Sequence, residues 1–419
     1  MFVSALLLVT LSFVLWTSNQ KKILRIEVYA GSSWDVPNSR ENRVLDNIIH
    51  QFEKSHPNVK VVYESGIPKK DYDNWLAEKI LKGEQADVFM VPENDFSMLA
   101  SSGAFKSLDS LISKEEAATY YPVAYQAGQY QGNSYALPIE SNPVMMCVNK
   151  DLLEKEGISI PNSNWTLEDL YAICQKVTKD TDGDGLIDQY GITDYTWKQA
   201  LVAYNGHLRN QNGVNIDSVE MHQALSFISK LDSLNQRYKV TSNDFDEGKV
   251  AFYPMSLAQY RTYKPYPYHV AKYSRFSWTC IPMPAAKAGI PATQVKTSLF
   301  AMSSKTKQDK LAWEFMKLLC QNQKNQQELF AKSQGTSVLT SVVKSSQTKK
   351  ILQADDFGLD SLTSQRLDHM MKHSVLDISR DLDYHSLERL DYLLENALKN
   401  NEIDSILPSI QREMEETGK

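Results

Sequence analysis

Cysteine is scarce in this chain, whose 419 residues include four, Cys147, Cys174, Cys280 and Cys320, far apart and in apolar surroundings. No C-x-x-C pair occurs, which argues against zinc and thioredoxin-like chemistry, so the four read as small buried hydrophobes. A disulfide is the alternative in an exported protein, although a chain of this length needs none to hold its core. Positive charge is also in deficit. With a net charge of -6, a pI near 5.8, and Lys and Arg scattered among acids, the chain has no basic field to hold a phosphate backbone, and no nucleic acid partner is expected. G-x-S-x-G, a phosphate-binding glycine loop and a Rossmann fingerprint are all missing. His369 and His373 stand four apart on a predicted helix, but Met370, Met371 and Lys372 between them supply no glutamate for an H-E-x-x-H zinc site. There is no low-complexity linker and no repeat of fixed period.

The residues that are present describe a folded, two-part chain. Hydrophobic residues at 42% and charged residues at 23% are ordinary for a globular protein, and the length favours two large lobes, or two to three domains, over one domain. Twenty-one Tyr and 7 Trp supply flat amphipathic faces suited to packing or to stacking on polar ligands. Phe2 to Trp16 is apolar apart from Ser4, Thr10 and Ser12. As a helix that run would span roughly 22 Å, short of the ~30 Å bilayer core, so residues 1–22 read as a signal peptide or an N-terminal membrane anchor. No second apolar segment is long enough to span a membrane.

Periodicity gives the order of elements. Leu24, Ile26 and Val28 alternate as in a strand; Val44, Leu45, Ile48, Ile49 and Phe52 recur at helical spacing up to Pro57. Val59 to Tyr63 reads as a second strand, Trp75 to Leu81 as a helix closed by Gly83, and Asp87 to Val91 as a buried strand. This βαβαβ order implies an α/β lobe, in which ligands bind beyond the strand ends, at 31–37 and 92–96. Thr166 and Asp169 form a capping-box pattern, a helix is expected over 219–234, and 249–253 reads as a strand.

Asp180-Thr-Asp-Gly-Asp-Gly-Leu-Ile-Asp188 spaces its carboxylates like the first nine places of a calcium loop: Asp180, Asp182, Asp184 and Asp188, with the Leu186 carbonyl. The twelfth place, where an EF-hand needs a bidentate Glu, is Gly191. Two readings stay open, a structural Ca²⁺ site and an acidic turn held by its own Asp hydrogen bonds. No other cofactor is called for.

Several separated segments, taken in order, resemble one family. Phe52-Glu-Lys-Ser-His-Pro-Asn-Val-Lys-Val61, Ala86-Asp-Val-Phe-Met90, Leu99-Ala-Ser-Ser-Gly-Ala-Phe105, Tyr135-Ala-Leu-Pro138, Val148-Asn-Lys-Asp-Leu-Leu153, Asn164-Trp-Thr-Leu-Glu-Asp-Leu170 and Gly248-Lys-Val-Ala-Phe252 are similar to motifs of the extracellular solute-binding proteins of ABC sugar importers, related to maltose-binding protein. The resemblance covers about residues 24 to 340. It implies an α/β, two-lobed periplasmic-binding-protein-like fold with a ligand cleft between lobes. On that division 23–138 plus 301–338 form the first lobe, and 139–300 plus 339–419 the second.

The resemblance also implies a ligand set. Trp34 would stack on a sugar or pack in its loop; Glu93, Asn94 and Asp95 would bond hydroxyls or form a solvated turn; Glu140 and Asn142 would meet ligand or serve the hinge. In the second lobe Tyr195, Trp197, Tyr253, Gln259 and Tyr260 follow predicted strands, although Pro254 to Ala258 departs from the family's G-P-W pattern. The expected role is a monomeric, non-enzymatic receptor on the cell surface that captures a carbohydrate, an oligosaccharide, and delivers it to ABC permease subunits. A carbohydrate-active enzyme using cleft carboxylates, or a surface sensor or adhesin on the same fold, is the alternative.

Overall fold

The computed structural model describes residues 21–34, 41–92, 94–236, 238–263, 276–355, 361–400 and 402–417. The apolar run 2–16 and the candidate ligand residue Glu93 therefore lie outside the described residues. Among the described residues, no helix is long and apolar enough to cross a membrane.

The first block is β1 (Lys22–Glu27), α1 (Glu41–Ser55), β2 (Val59–Glu64), α2 (Lys69–Lys82), β3 (Val88–Val91), α3 (Phe96–Ser101) and α4 (Pro122–Ala127). Local chemistry sets the boundaries of α2. It stops at Gly83, whose φ of 69° is the left-handed cap that a side chain resists, and the Gly83 N–H closes on the Ile80 carbonyl. A long strand, β4 (Ala136–Asn149), leads into the second block: α5 (Leu167–Val177), β5 (Tyr190–Ile192), α6 (Trp197–Ala203), α7 (Val219–Leu234), β6 (Val250–Ser256), α8 (Leu257–Tyr263) and β7 (Trp278–Ile281). The expected box closes the start of α5, with Asp169 N–H on Thr166 Oγ1 at 3.2 Å and Thr166 N–H on Asp169 Oδ2 at 2.8 Å, a device worth about 1 kcal/mol. The chain returns through β8 (Thr293–Met302), α9 (Asp309–Cys320), α10 (Gln323–Lys332), β9 (Thr336–Ser337), α11 (Ser364–Lys372) and β10 (Ser374–Leu376), and ends in α12 (Tyr384–Asn400) and α13 (Ile403–Thr417).

The strands form one sheet of order β2-β1-β3-β8-β4-β6-β5, with β7 and β9 also on β4 and β10 on β8. Strand β4 crosses between the blocks: Ala136 to Pro143 pair with β8, and Val144 to Val148 with β6. Pro138 would normally be barred from a central strand because it lacks an N–H. It is accommodated opposite the register shift between Ser298 and Leu299, where the ladder is already broken.

Register fixes which strand ends meet. In the first block β3 is antiparallel to β8 and β1 parallel to β3, so both run the way β4 does and end at the junction. In the second block β6 is antiparallel to β4 and β5 parallel to β6, so both also end at the junction. Four carboxyl ends, those of β1, β3, β5 and β6, therefore face one another across it, the place where open α/β sheets bind ligands.

Three apolar cores support this frame. One lies in the first block around Leu24, Phe52, Phe89 and Phe315; another in the second around Trp165, Leu225, Phe252 and Leu390. The third packs Tyr121 of the first block against Cys147, Tyr260, Trp278, Phe330 and Met370 beside the crossing strand.

Candidate functional site

On the first block's side of the junction, Trp34 follows β1. It is 8% exposed, belongs to none of the three cores among the described residues, and its indole N–H has no partner. A buried Trp normally donates that hydrogen, and no acceptor for it stands among the described residues, which leaves the donor open to a ligand oxygen. Asn94 and Asp95 follow β3 and are half-buried. Desolvation, then the carboxylates of Asp73 and Asp383, lift the Asp95 carboxyl from its ordinary value to about 6. Asp73 lies on α2 and is itself raised by burial, against the pull of Lys69.

Asp383 reaches the same spot from the other side, just before α12. Burial opposes its charge, but the Ser386 N–H (3.0 Å) and hydroxyl (2.5 Å) bond its two oxygens and hold it below the usual range. Two neighbouring carboxyls thus sit on opposite sides of their ordinary values. Arg380, in the 3-10 turn Ile378–Asp381, also reaches across: its guanidinium lies 5.6 Å over the Phe96 ring and donates to the Ala127 carbonyl at 3.3 Å. Sequence reasoning missed Asp73, Arg380 and Asp383. A charge-rich helical tail carries no local mark that the residues leading into it fold back to a junction far earlier in the chain, at Asp95.

Four aromatic candidates of the second block each pack in a core. Tyr195 is buried edge-on to Phe227 at 6.2 Å, and burial pushes its hydroxyl well above its ordinary value. Trp197 is 3% exposed and donates its indole hydrogen to Asp391 Oδ1 at 2.9 Å, tying α6 to α12. Tyr253 stands edge-on to Phe245 at 5.3 Å, and its hydroxyl bonds Asp194. Tyr260, 1% exposed, lies 5.3 Å from Trp278. Aromatic rings after strands satisfy a core as readily as a ligand, and here the third and second-block cores claim them. Gln259 is exposed, and its Oε1 accepts from Ser256 N–H at 2.8 Å, a cap for α8.

Glu140 and Asn142 serve the crossing. Asn142 Oδ1 accepts the Ala258 N–H at 2.9 Å at the head of α8. Glu140 is 3% exposed and accepts from the Ser333 hydroxyl and from Gly335 N–H at 2.7 Å. Only glycine fits at 335, since a Cβ there would stand 2.5 Å from Glu140 Oε1. From α8, the buried Arg261 donates to the Phe330 and Gly335 carbonyls at 2.8 and 2.9 Å and pairs with Asp355 at 3.3 Å. The segments around residues 140, 261 and 335 are thereby pinned to one another. Beside Glu140 lies a cavity of about 70 Å³, walled mostly by apolar side chains such as Val44, Ile48, Phe300 and Leu329, with Tyr29, Ser33 and Asn325 also in its lining.

In the acidic loop, carboxylate oxygens of Asp180, Asp182 and Asp188 lie within 4.8 Å of one another, the one such group of three among the described residues. Asp184 is not in the group; its Oδ1 accepts the Leu186 N–H at 2.8 Å, and Leu186 is 69% exposed. Backbone N–H groups of Gly183 and Gly185 hold Asp180 below its ordinary range. No side-chain ligand fits at position 191, where a Cβ would meet Cys174 at 2.5 Å.

The fold and junction define a two-lobed binding protein. Solved structures align over nearly the whole length: the sugar-binding protein MalE of Xanthomonas citri (TM-score 0.75, 16% identity, 94% of this chain and 97% of that one) and the cyclic α-maltosyl-1,6-maltose binding protein of Arthrobacter globiformis (TM-score 0.71, 14%, 94% and 97%). Among relatives by sequence, the maltotriose-binding protein of Pyrococcus abyssi is 25% identical over 138 residues, 33% of this chain and 30% of that protein. Residues 47–355 match the family described as bacterial extracellular solute-binding protein, and the chain belongs to that family.

Proposed function

We propose that this protein is an extracellular receptor that captures a carbohydrate, an oligosaccharide, between its lobes and delivers it to the membrane subunits of an ABC importer. The observation that carries the proposal is the convergence of four strand ends on a junction holding an unpartnered indole N–H at Trp34 and a desolvated carboxyl at Asp95. An aromatic face with a donor and a nearby acceptor suits a sugar ring, which is apolar on its faces and hydroxylated at its edge. The relatives named for maltotriose and a cyclic maltosyl sugar support the class. Residues 23–138 with 301–338 would close on 139–300 with 339–419 by hinge motion about β4 and β8, ligand contacts from both sides favouring the closed form. The receptor would act as a monomer, exported and held near the membrane by its N-terminal run. Calorimetry against maltooligosaccharides, other oligosaccharides, polyols, amino acids and peptides should find one carbohydrate class bound without turnover; binding confined to a non-carbohydrate class would overturn the assignment.

One observation favours an enzymatic alternative, the split between Asp95 and Asp383, since acid and base pairs show such splits. Product formation from the bound sugar decides between them.

Asp95 also sets a pH dependence. Its folded value of about 6 lies above the 3.8 of the unfolded chain, so the folded state binds the extra proton between them. The stability it contributes is complete below pH 4 and is lost as pH rises through 6. Asp95→Asn should therefore raise stability at pH 7.5 by about 1–2 kcal/mol, leave it unchanged at pH 4, and weaken ligand binding. Melting curves across pH for both proteins test this, and parallel curves would refute it.

For the acidic loop we propose a structural Ca²⁺ held by Asp180, Asp182 and Asp188, oxygen donors suited to a hard cation. Millimolar Ca²⁺ should raise the melting temperature by about 3 °C and EGTA reverse it. Asp180→Asn should abolish the shift, and a Ca²⁺-indifferent wild type would reject the site.

A further inference from the structure

We propose that Cys147 and Cys280 are a disulfide site, closed by oxidation as the chain matures outside the cell. It draws on the extracellular reading only for its oxidant, and its test does not involve sugar.

The pairing follows from register. Cys280 on β7 stands directly opposite Cys147 on β4 in an antiparallel ladder. Antiparallel partners alternate between hydrogen-bonded pairs, about 5.5 Å apart at Cα, and non-hydrogen-bonded pairs, about 4.5 Å apart with side chains closer. Two bonds settle the phase. Lys150 N–H donates to the Ser277 carbonyl at 2.8 Å, which makes that pair hydrogen-bonded and, three positions along, the cysteine pair non-bonded. Independently, Cys280 N–H donates away from β4, to the Ser361 carbonyl at 2.9 Å. A Cα separation of about 4.5 Å lies inside the range that disulfides span. The sulfurs themselves are 3.6 Å apart, in contact, and both residues are fully buried in the third core.

The other cysteines offer no competing partner. Cys174 lies in the second-block core against Gly191, and Cys320 in the first-block core with its sulfur 4.0 Å from the Leu137 carbonyl. Each core that holds them is distinct from the one that holds the pair.

The chemistry is thiol–disulfide exchange with a disulfide oxidant RSSR, a small-molecule disulfide or an oxidoreductase disulfide. One cysteine thiolate attacks RSSR, forming a mixed disulfide and releasing RS⁻; the second thiolate attacks the cysteine sulfur of that mixed disulfide and releases the other RS⁻. Two thiols lose two protons and two electrons, and RSSR becomes two RSH. Because both sulfurs are inaccessible in the folded protein, the exchange belongs to folding. The product would tie the crossing strand to β7 in the core that holds Tyr260, stiffening the second block where it meets the hinge.

The test is to refold the full chain with oxidised glutathione and, separately, with excess reduced thiol, alkylate it under denaturing conditions, and map the peptides. The expected result is a cross-linked Cys147–Cys280 peptide, about 2 Da lighter than its reduced parts, with Cys174 and Cys320 alkylated. Oxidation should raise the melting temperature by roughly 5 °C, a shift that Cys280→Ala abolishes; Cys174→Ala should retain it. Alkylation of all four thiols after oxidative refolding, or a cross-link involving Cys174 or Cys320, would overturn the assignment.

Discussion

Replacing Arg261 with methionine is expected to destabilise the protein by about 3–5 kcal/mol, seen as a large fall in the urea midpoint. Methionine fills much of the arginine volume, so the loss reports charge and hydrogen bonding more than a cavity. Two carbonyls, Phe330 and Gly335, would lose the donor that now satisfies them. Asp355 would lose its ion-pair partner, and Glu140 a neighbouring positive charge that offsets its burial. Breaking one side of a buried charge network leaves the rest uncompensated, the costly case; replacing every partner at once would cost far less. Arg261→Lys should fall between, because an ammonium keeps the charge but not the fixed fork that meets two carbonyls and a carboxylate. Both substitutions should also weaken ligand binding, since Gly335 and Glu140 lie where segments cross between the blocks. A loss under 1 kcal/mol for methionine would show that the network is not what fixes the crossing.

Local signals made much of the frame legible. Gly83 ends α2, the Thr166–Asp169 box begins α5, and the helix expected over 219–234 is α7 over the same residues. Each of these rests on contacts within one turn, which a sequence displays directly. The second-block aromatic pattern is different. Tyr195, Trp197, Tyr253 and Tyr260 follow strands as a ligand site requires, yet each found a partner from another element: a core ring for three of them, Phe227, Phe245 or Trp278, and the Asp391 carboxylate for Trp197. Amphipathic rings satisfy either role, and only long-range packing decides. Asp383 and Arg380 were illegible for the same reason: their place beside Asp95 and Phe96 comes from topology. Pro138 would have misled in the other direction, since a proline argues against a central strand unless the partner's register breaks opposite it, as it does at Ser298.

Trp34→Ala should lower affinity for the bound oligosaccharide by about 100-fold, near 2.7 kcal/mol, with little change in melting temperature. The two readouts separate the roles the residue could play. A core tryptophan cut to alanine costs about 3–5 kcal/mol of stability. Trp34 joins none of the three cores among the described residues, so a loss of that size is not expected. Its indole N–H, buried without a partner among the described residues, carries a desolvation cost of about 1–3 kcal/mol, which a ligand oxygen accepting that hydrogen would relieve. Affinity therefore draws on two terms, stacking on the ring and the recovered hydrogen bond. Trp34→Phe divides them: it keeps an aromatic face and removes the donor, and should cost about tenfold. Titration calorimetry with the best ligand of the panel, with thermal melts of each variant, gives the comparison. Unchanged affinity together with a melting temperature lowered by several degrees would make Trp34 a structural residue and move the ligand's aromatic contact elsewhere in the junction.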